Sequence, residues 1–376
     1  MKILGIETSC DETSAAIVEE TGDAAKPWVI RSNVIASQVP IHREWGGVVP
    51  ELASRQHIRD ICGVVEHALE EARARWDDLG AVAVTQGPGL VGSLLVGVSF
   101  AKAAAVAAGL PLVAVHHLAG HVESLVLQNG ELPLPAVVLV VSGGHTSLYL
   151  IQRPGRYELL SRTRDDAAGE AYDKVAKLLG LGYPGGPVID RLAQGGNDRA
   201  IQLPTTRLTH ADRNAPELKG DLDFSFSGLK TAVLRHVRAR AASVAQGFSP
   251  ASAVAQPASS SGVAQPFRAA LSDQEIADIC ATFQRIVVTA LIDRLFDAAR
   301  RYQAKSIGIA GGVSANSRLR AELVERGARR EIPTFLPSLQ LSTDNAAMIA
   351  AAGLRKFRAG ETAAMDLNAD AALPLG

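Results

Sequence analysis

Cysteine is scarce in this chain: Cys10, Cys62 and Cys280 are odd in number, widely spaced and without a C-x-x-C pair. That argues against a disulfide framework and against a thiolate zinc site, and it suits a reducing compartment. A net excess of charge is also missing. At −1 overall, the chain offers no global attraction to nucleic acid, so any RNA contact must rest on local patches or on partner proteins. Long apolar runs are lacking too. The start, MKILGIETSCDET, has one lysine, and Glu7 and Asp11 interrupt its apolar stretch before it reaches the length of a signal-peptide core, so no export signal is expected. The longest apolar tracts, such as 136–141, are strand-sized, and the alanine-rich stretch 102–115 contains Lys102, Gly109 and Pro111. No membrane span is expected, and the location is read as cytoplasmic.

What is present is ample material for a core. The 376 residues, 47% apolar and 20% charged, exceed the usual size of one hydrophobic core, so two packed lobes are expected. Residues 3–6 are apolar, 7–13 small and acidic, and 15–18 apolar again, which reads as two strands around a polar turn. The same pattern returns at 136–141, SGGHT and 148–151, and each hairpin is followed by helical stretches, at 58–75 and at 170–179. Strand-then-helix signals also open at 81–85 and 306–310. The expected fold is α/β, two duplicated lobes facing a central cleft, with lobes at 1–132 and 133–376. Residues 241–270 are rich in Ala, Ser, Pro, Gln and Gly and nearly free of charge, which reads as a disordered surface insertion between helical patterns at 228–240 and 273–302.

Several residues have types and spacings suited to chemistry, each with a plainer structural reading beside it. His117 and His121 stand at i, i+4, so on a helix both rings leave one face and can share a metal ion; by chance, nine histidines also produce such pairs. Leu118 occupies the position where a zinc protease of the H-E-x-x-H type needs its glutamate. A third ligand is required, and Asp344 in STDNAAMIA is a candidate whose plainer role is a helix N-cap. SGGHT, 142–146, joins two strands through paired glycines that permit close backbone approach to a phosphate or carboxylate; a simple hairpin turn is equally compatible. Asn316 in GGVSAN either caps the next helix or reaches a ligand, and Asp173 in GEAYDKVAKLLGL is by default a surface charge. Two runs of basic residues, Arg235, Arg238 and Arg240, and Arg326, Arg329, Arg330, Arg355, Lys356 and Arg358, are candidate RNA patches or solvated helix faces.

Taken together these segments are more specific. HHLAGH at 116–121, VVSGGHT at 140–146, AYDKVAKLLGLGYPGGP, FSFSGLKT at 224–231, GGVSAN and STDNAAMI occur in one order across nearly the whole chain. With GIETSCDETSAAIV and TQGPGLVGSLLVG, they resemble the TsaD family, formerly called O-sialoglycoprotein endopeptidases. The resemblance implies the superfold of actin, sugar kinases and heat-shock-protein ATPases. It implies transfer of a threonylcarbamoyl group from threonylcarbamoyl-AMP to N6 of adenosine 37 in tRNAs reading codons that begin with A. By motif, His117, His121 and Asp344 would hold one divalent metal ion, iron (Fe2+) first and zinc second. Val140, Val141, Ser142, Gly143, Gly144, Asp173, Gly186, Asp190 and Asn316 would bind the adenylate, and Asp11, Glu12 and His145 would stand near the reacting group. The implied partners are a paralogous TsaB subunit and the ATPase TsaE, with a TsaC-type synthase supplying the adenylate. There are two departures: the segment 241–270 lies outside the family's common core, and Ser342 stands where many members have Cys. A sugar or acetate kinase of the same superfold and a non-catalytic nucleotide-binding scaffold are the competing readings. The histidine pair separates the kinase, which uses carboxylates and Mg2+, and a bound metal with open positions would separate the scaffold.

Overall fold

The computed structural model describes residues 1–205, 208, 220–247 and 271–375. The first apolar run is buried along β1 (Lys2–Glu7), which pairs antiparallel with β2 (Glu12–Glu20) across the polar turn. β3 (Trp28–Ser37) adds outside β2, and β4 (Leu79–Gly87) and β5 (Leu112–His116) add in parallel beyond β1, so the order is β3-β2-β1-β4-β5. Parallel neighbours need long crossovers. Here they are the short α1 (Val39–Arg43) followed by α2 (Pro50–Glu71), and α3 (Val91–Ala108).

The second sheet repeats this plan. β6 (Ala136–Val141), β7 (Thr146–Arg153), β8 (Arg156–Arg162), β9 (Ser306–Ala310) and β10 (Thr334–Phe335) lie in the order β10-β9-β6-β7-β8, the same topology read from the other edge. β6 is buried at every position, as its run of valine and leucine requires for a strand covered on both faces. The duplication seen in the sequence is therefore a duplication of topology.

The helices of the second half are α5 (Ala168–Leu178), α6 (Gly185–Ala193), α7 (Ser227–Gly247), α8 (Asp273–Arg301), α9 (Ser317–Arg329), the short α10 (Leu339–Ser342) and α11 (Ala346–Arg358). Between the sheets runs α4 (His117–Asn129), buried from His117 through Leu127. α4 leaves the first sheet but leans on β6 and β9, whereas α11 closes the second half but packs on β1, β2 and β4. One apolar cluster holds Val113 and Val115 of the first sheet, Val138 and Val140 of the second, Leu125 of α4 and Met348 of α11. The two helices are thus packed together in the middle layer, which brings residues more than two hundred positions apart to one place.

Some elements differ from the sequence reading. The helix expected at 58–75 begins earlier, at Pro50, because proline near N1 starts helices well, and ends at Glu71. β3 and β8 escape a reading by apolar runs because most of their positions are only partly buried or exposed. α7 continues through Gly247, so the helix includes 241–247 of the segment read as an insertion; 248–270 lie outside the described residues. α3 is long and apolar enough to cross a membrane by length and composition alone, yet it packs on β4 and α2.

Candidate metal centre and cleft

β5 ends inside the molecule and α4 starts at the next residue. His116 caps the helix, its Nδ1 accepting from the Leu118 N–H at 3.1 Å while Nε2 donates to the Leu373 carbonyl at 2.9 Å. His117 and His121 follow one turn apart, both buried, with ring centroids 4.7 Å apart. The third group arrives from the other half of the chain. Asp344 precedes α11, but the cap of that helix is Asn345, whose Oδ1 accepts from the Met348 N–H at 3.1 Å. Relieved of capping, Asp344 faces the imidazoles, with Oδ1 3.2 Å from His121 Nε2 and 3.6 Å from His117 Nε2.

One donor atom from each of the three residues lies within 4.8 Å of the others. Two donors about 2.1 Å from a shared ion stand roughly 3.0–3.4 Å apart at octahedral to tetrahedral angles, and the carboxylate–imidazole separations approach this. His121 carries the clearer sign. Among the described residues neither ring nitrogen makes a well-formed hydrogen bond: Nδ1 has no partner, and the Asp344 oxygen 3.2 Å from Nε2 attracts it by charge without good alignment. A buried imidazole without well-formed hydrogen bonds is costly, and an ion shared with Asp344 would satisfy one nitrogen. Two neutral imidazoles and one carboxylate suit a divalent transition metal with open positions. The two carboxylates draw positive charge to this place, as a proton on His117 or as a cation that displaces that proton. Burial opposes an imidazolium at His117, but Asp344 and Glu7 outweigh it and lift its pKa to about 9. Burial likewise opposes the Asp344 carboxylate, yet His117 and His121 hold it well below the usual range.

Glu7, at the end of β1, is fully buried; in the sequence it stands only as an interruption of an apolar run. Its Oε2 lies 3.0 Å from His117 Nδ1 and accepts from Thr85 Oγ1 at 2.7 Å, and its Oε1 accepts from the Ser9 N–H at 2.5 Å. With Nδ1 donating to Glu7, the lone pair of His117 Nε2 points to the Asp344 side, the arrangement that orients a metal-binding histidine and strengthens it as a donor. The only hint in the sequence is an acidic residue ending a buried apolar strand. Glu7→Gln is expected to lower metal affinity roughly 10- to 100-fold while the fold persists, as read by titration against a competing chelator. Wild-type affinity in that variant would remove Glu7 from the site.

Of the remaining sequence candidates, Glu12 and His145 feel the charge of Asp344, and Asp173 that of Asp11, whereas Asp190 and Asn316 are bonded to each other. Val140 and Val141 are buried in β6, so only their backbone is available. In the following turn Ser142 N–H donates to the His145 carbonyl at 2.8 Å, His145 N–H donates to Ser142 Oγ at 3.2 Å, and Gly143 and Gly144 are exposed with open space around them. The first turn of α5 presses on this turn: a side chain at Gly169 would meet the Ser142 carbonyl at 2.5 Å. His145 is driven down to about 4 by burial and then by His117, His121 and His116, so it is neutral and close to the metal-site histidines. Asp173 Oδ1 accepts from the Gly185 N–H at 2.7 Å; its carboxyl is raised by burial and by Asp11, against the amides of Gly185 and Gly186. Glu12 is pushed well up by burial, Asp11 and Asp344. Asp190 and Asn316 are bonded to each other at 3.2 Å; Asp190 also takes Ser317 Oγ at 2.8 Å, and Asn316 caps α9 through the Leu319 N–H at 3.0 Å. Ser342 is buried and accepts from Ser314 Oγ at 3.1 Å.

The basic runs are largely neutralised within the protein. Arg355 is a bidentate partner of buried Glu123, at 2.6 and 2.9 Å, and also binds Glu131 at 2.8 Å. Arg326 pairs with Asp293 and Glu322, Arg329 with Glu325, Lys356 with Glu361, Arg358 with Glu20 and Arg240 with Glu275, while Arg330 lies over the Phe296 ring. Of the residues in those runs, Arg235, Arg238 and Arg330 remain exposed cations with no ion pair among the described residues.

A family model, TsaD: tRNA N6-adenosine threonylcarbamoyltransferase, matches residues 29–351. The tRNA N6-adenosine threonylcarbamoyltransferase of Anaeromyxobacter sp. (strain Fw109-5) is 50% identical over 373 residues, covering 99% of each chain. The protein of that name in Koribacter versatilis (strain Ellin345) is 46% identical over 387 residues, covering 99% of this chain and 98% of its own. Among solved structures, full-length HypF in its phosphate- and nucleotide-bound form superposes on 96% of this chain and 56% of its own with a TM-score of 0.54. At 13% identity that likeness concerns the fold alone, and it is the actin-like ATPase fold.

Proposed function

We propose, from the premise that this chain belongs to the TsaD family of tRNA N6-adenosine threonylcarbamoyltransferases, that the His117–His121–Asp344 cluster is its metal centre and the adjoining cleft its substrate site. The enzyme is a transferase that modifies tRNA to threonylcarbamoyladenosine. The observation that carries the site assignment is the meeting of Asp344 with two histidines of another helix, one of them without a well-formed hydrogen bond at either ring nitrogen. This donor set also separates the chain from kinases of the same fold, which hold Mg2+ through carboxylates. We assign Fe2+ first and zinc second, because two imidazoles and a carboxylate with open positions match non-haem iron sites.

In this reading the N6 amine of adenosine 37 forms a bond to the carbamoyl carbon of threonylcarbamoyl-AMP, the bond from that carbon to the phosphate oxygen breaks, and AMP leaves. A bound divalent ion supplies Lewis acidity at the threonylcarbamoyl oxygens. The exposed backbone of Gly143 and Gly144 gives the adenylate phosphate close access, since neither carries a side chain and the space around both is open. Asp173 holds the N-terminus of α6 through the Gly185 N–H. The proton that the amine must lose goes to a carboxylate or to the leaving phosphate, and we assign it to Glu12 in its ionised form, whose basicity burial, Asp11 and Asp344 raise. Neutral His145 is suited to donate or accept a hydrogen bond without adding charge beside the ion.

For partners we assign a TsaB-type paralogue, a TsaE-type ATPase and a TsaC-type synthase, with a cytoplasmic location. The exposed apolar residues Ile58 of α2 and Val91, Leu95 and Val106 of α3 offer a surface for the paralogue. The test is mass spectrometry of nucleosides from tRNA incubated with the chain, threonine, bicarbonate, ATP and these partners. Threonylcarbamoyladenosine dependent on the chain is expected. Its absence with all components active would refute the reaction.

A further inference from the structure

Trp45 is the one aromatic side chain that is exposed among the described residues, with 62% of its surface open. It sits in the loop between α1 and α2, immediately before Gly46, which adopts a φ of +67°. The loop is anchored on one side. Gln38 N–H donates to the Asp11 carbonyl at 2.9 Å, His42 Nε2 meets Gln38 Oε1 at 3.2 Å, and His42 Nδ1 accepts from the Val49 N–H at 3.3 Å. On the other side it reaches the opposite half of the chain: a side-chain carbon at Gly46 would lie 3.8 Å from Lys177 Nζ. Lys177 is on α5, one turn beyond Asp173. The loop therefore borders the cleft, with the Asp11 turn behind it and α5 in front. Arg43 and Lys177 are exposed and form no ion pair among the described residues, and the one acidic neighbour in the loop is Glu44, also exposed.

We propose that Trp45 is a stacking platform for an unpaired base of the tRNA anticodon loop, with Arg43 and Lys177 meeting the phosphates beside it. The proposal rests on the tRNA-modifying reading above. Unpaired loop bases are recognised chiefly by stacking on aromatic side chains, and phosphate contacts add a charge-dependent share of affinity. The chain has a net charge of −1 and pairs most of the arginines in its basic runs internally, so a local site that adds stacking to a few unpaired cations suits its hold on RNA. A protein partner would favour a contiguous apolar patch. Here the exposed apolar surface is the Trp45 ring with Ile41 one turn before it, and the loop also carries Arg43 and comes close to Lys177 at Gly46.

The experiment measures binding of a fluorescein-labelled stem-loop RNA, carrying an unmodified adenosine 3′ to its anticodon, to wild type, Trp45→Ala, Trp45→Phe and Lys177→Ala, with and without the partner proteins. Loss of one stacked base is expected to weaken Trp45→Ala roughly 5- to 150-fold, to leave Trp45→Phe close to wild type, and to raise the tRNA KM with little change in kcat. Lys177→Ala should flatten the salt dependence of binding. Metal content and melting temperature should stay at wild-type values in all three variants. Wild-type RNA affinity in Trp45→Ala, failure of the wild type itself to bind the stem-loop, or loss of partner association with RNA affinity intact would each overturn the proposal. If the wild type binds the RNA and Trp45→Ala does not, but no modified nucleoside is ever formed, it is the reaction assignment that fails and the platform that stands.

Discussion

Single replacement of His117, His121 or Asp344 by alanine is expected to empty the metal centre and to abolish transfer in the same step, with the three variants alike. Each supplies one donor of a three-residue set whose donor atoms lie within 4.8 Å of one another, and two protein ligands hold a divalent ion poorly. Because Asn345 is the residue that caps α11, its replacement provides the matched control. Asn345→Ala should cost about 1 kcal/mol of stability and keep its metal, whereas Asp344→Ala should lose the metal. Elemental analysis of purified proteins beside a threonylcarbamoylation assay reads both. A fully metallated Asp344→Ala, or full activity of wild type after complete chelation, would end the assignment.

Gly5→Ala is expected to damage stability and metal binding together, although Gly5 touches no ligand. A carbon added there would stand 2.4 Å from the Ala346 carbonyl oxygen and 2.7 Å from the Ala350 nitrogen, both backbone atoms of α11. Backbone cannot turn aside as a side chain can, so the helix must shift as a body and carry Asp344 away from α4. Overpacking of this kind costs roughly 1–3 kcal/mol, occasionally more. Gly120→Ala makes the comparison informative. Its nearest contact is the end of the Ile349 side chain at 2.8 Å, which can rotate, so the loss should be smaller. Urea unfolding and metal titration of both variants test this. Equal stability and equal metal affinity in wild type and Gly5→Ala would show that the docking of α11 on β1 does not set the ligand spacing.

Local chemistry was enough to write much of this protein into its residue order. β6 was legible because a run of valines and leucines of strand length suits a strand covered on both faces, and α8 because its helical pattern runs unbroken over 273–302. The i, i+4 spacing of His117 and His121 needed only a helix to put both rings on one side. The family motifs, in order along the chain, carried the reaction class. Between two roles for Asp344 the sequence could not choose, because Asp and Asn adjoin there and either can cap a helix. The choice was made by the folded chain, in which Asn345 takes the α11 amide and Asp344 is aimed at histidines on α4. Glu7 was hidden for the same reason: a carboxylate inside an apolar layer is tolerable only when a partner 110 residues away neutralises it. The arginine runs went the other way, reading as basic patches until carboxylates distant in sequence were found against them. Short-range preferences act within a few residues and are written locally. Charge compensation and ligand convergence depend on which helices share the middle layer, and only the packing of α4 against α11 decides that.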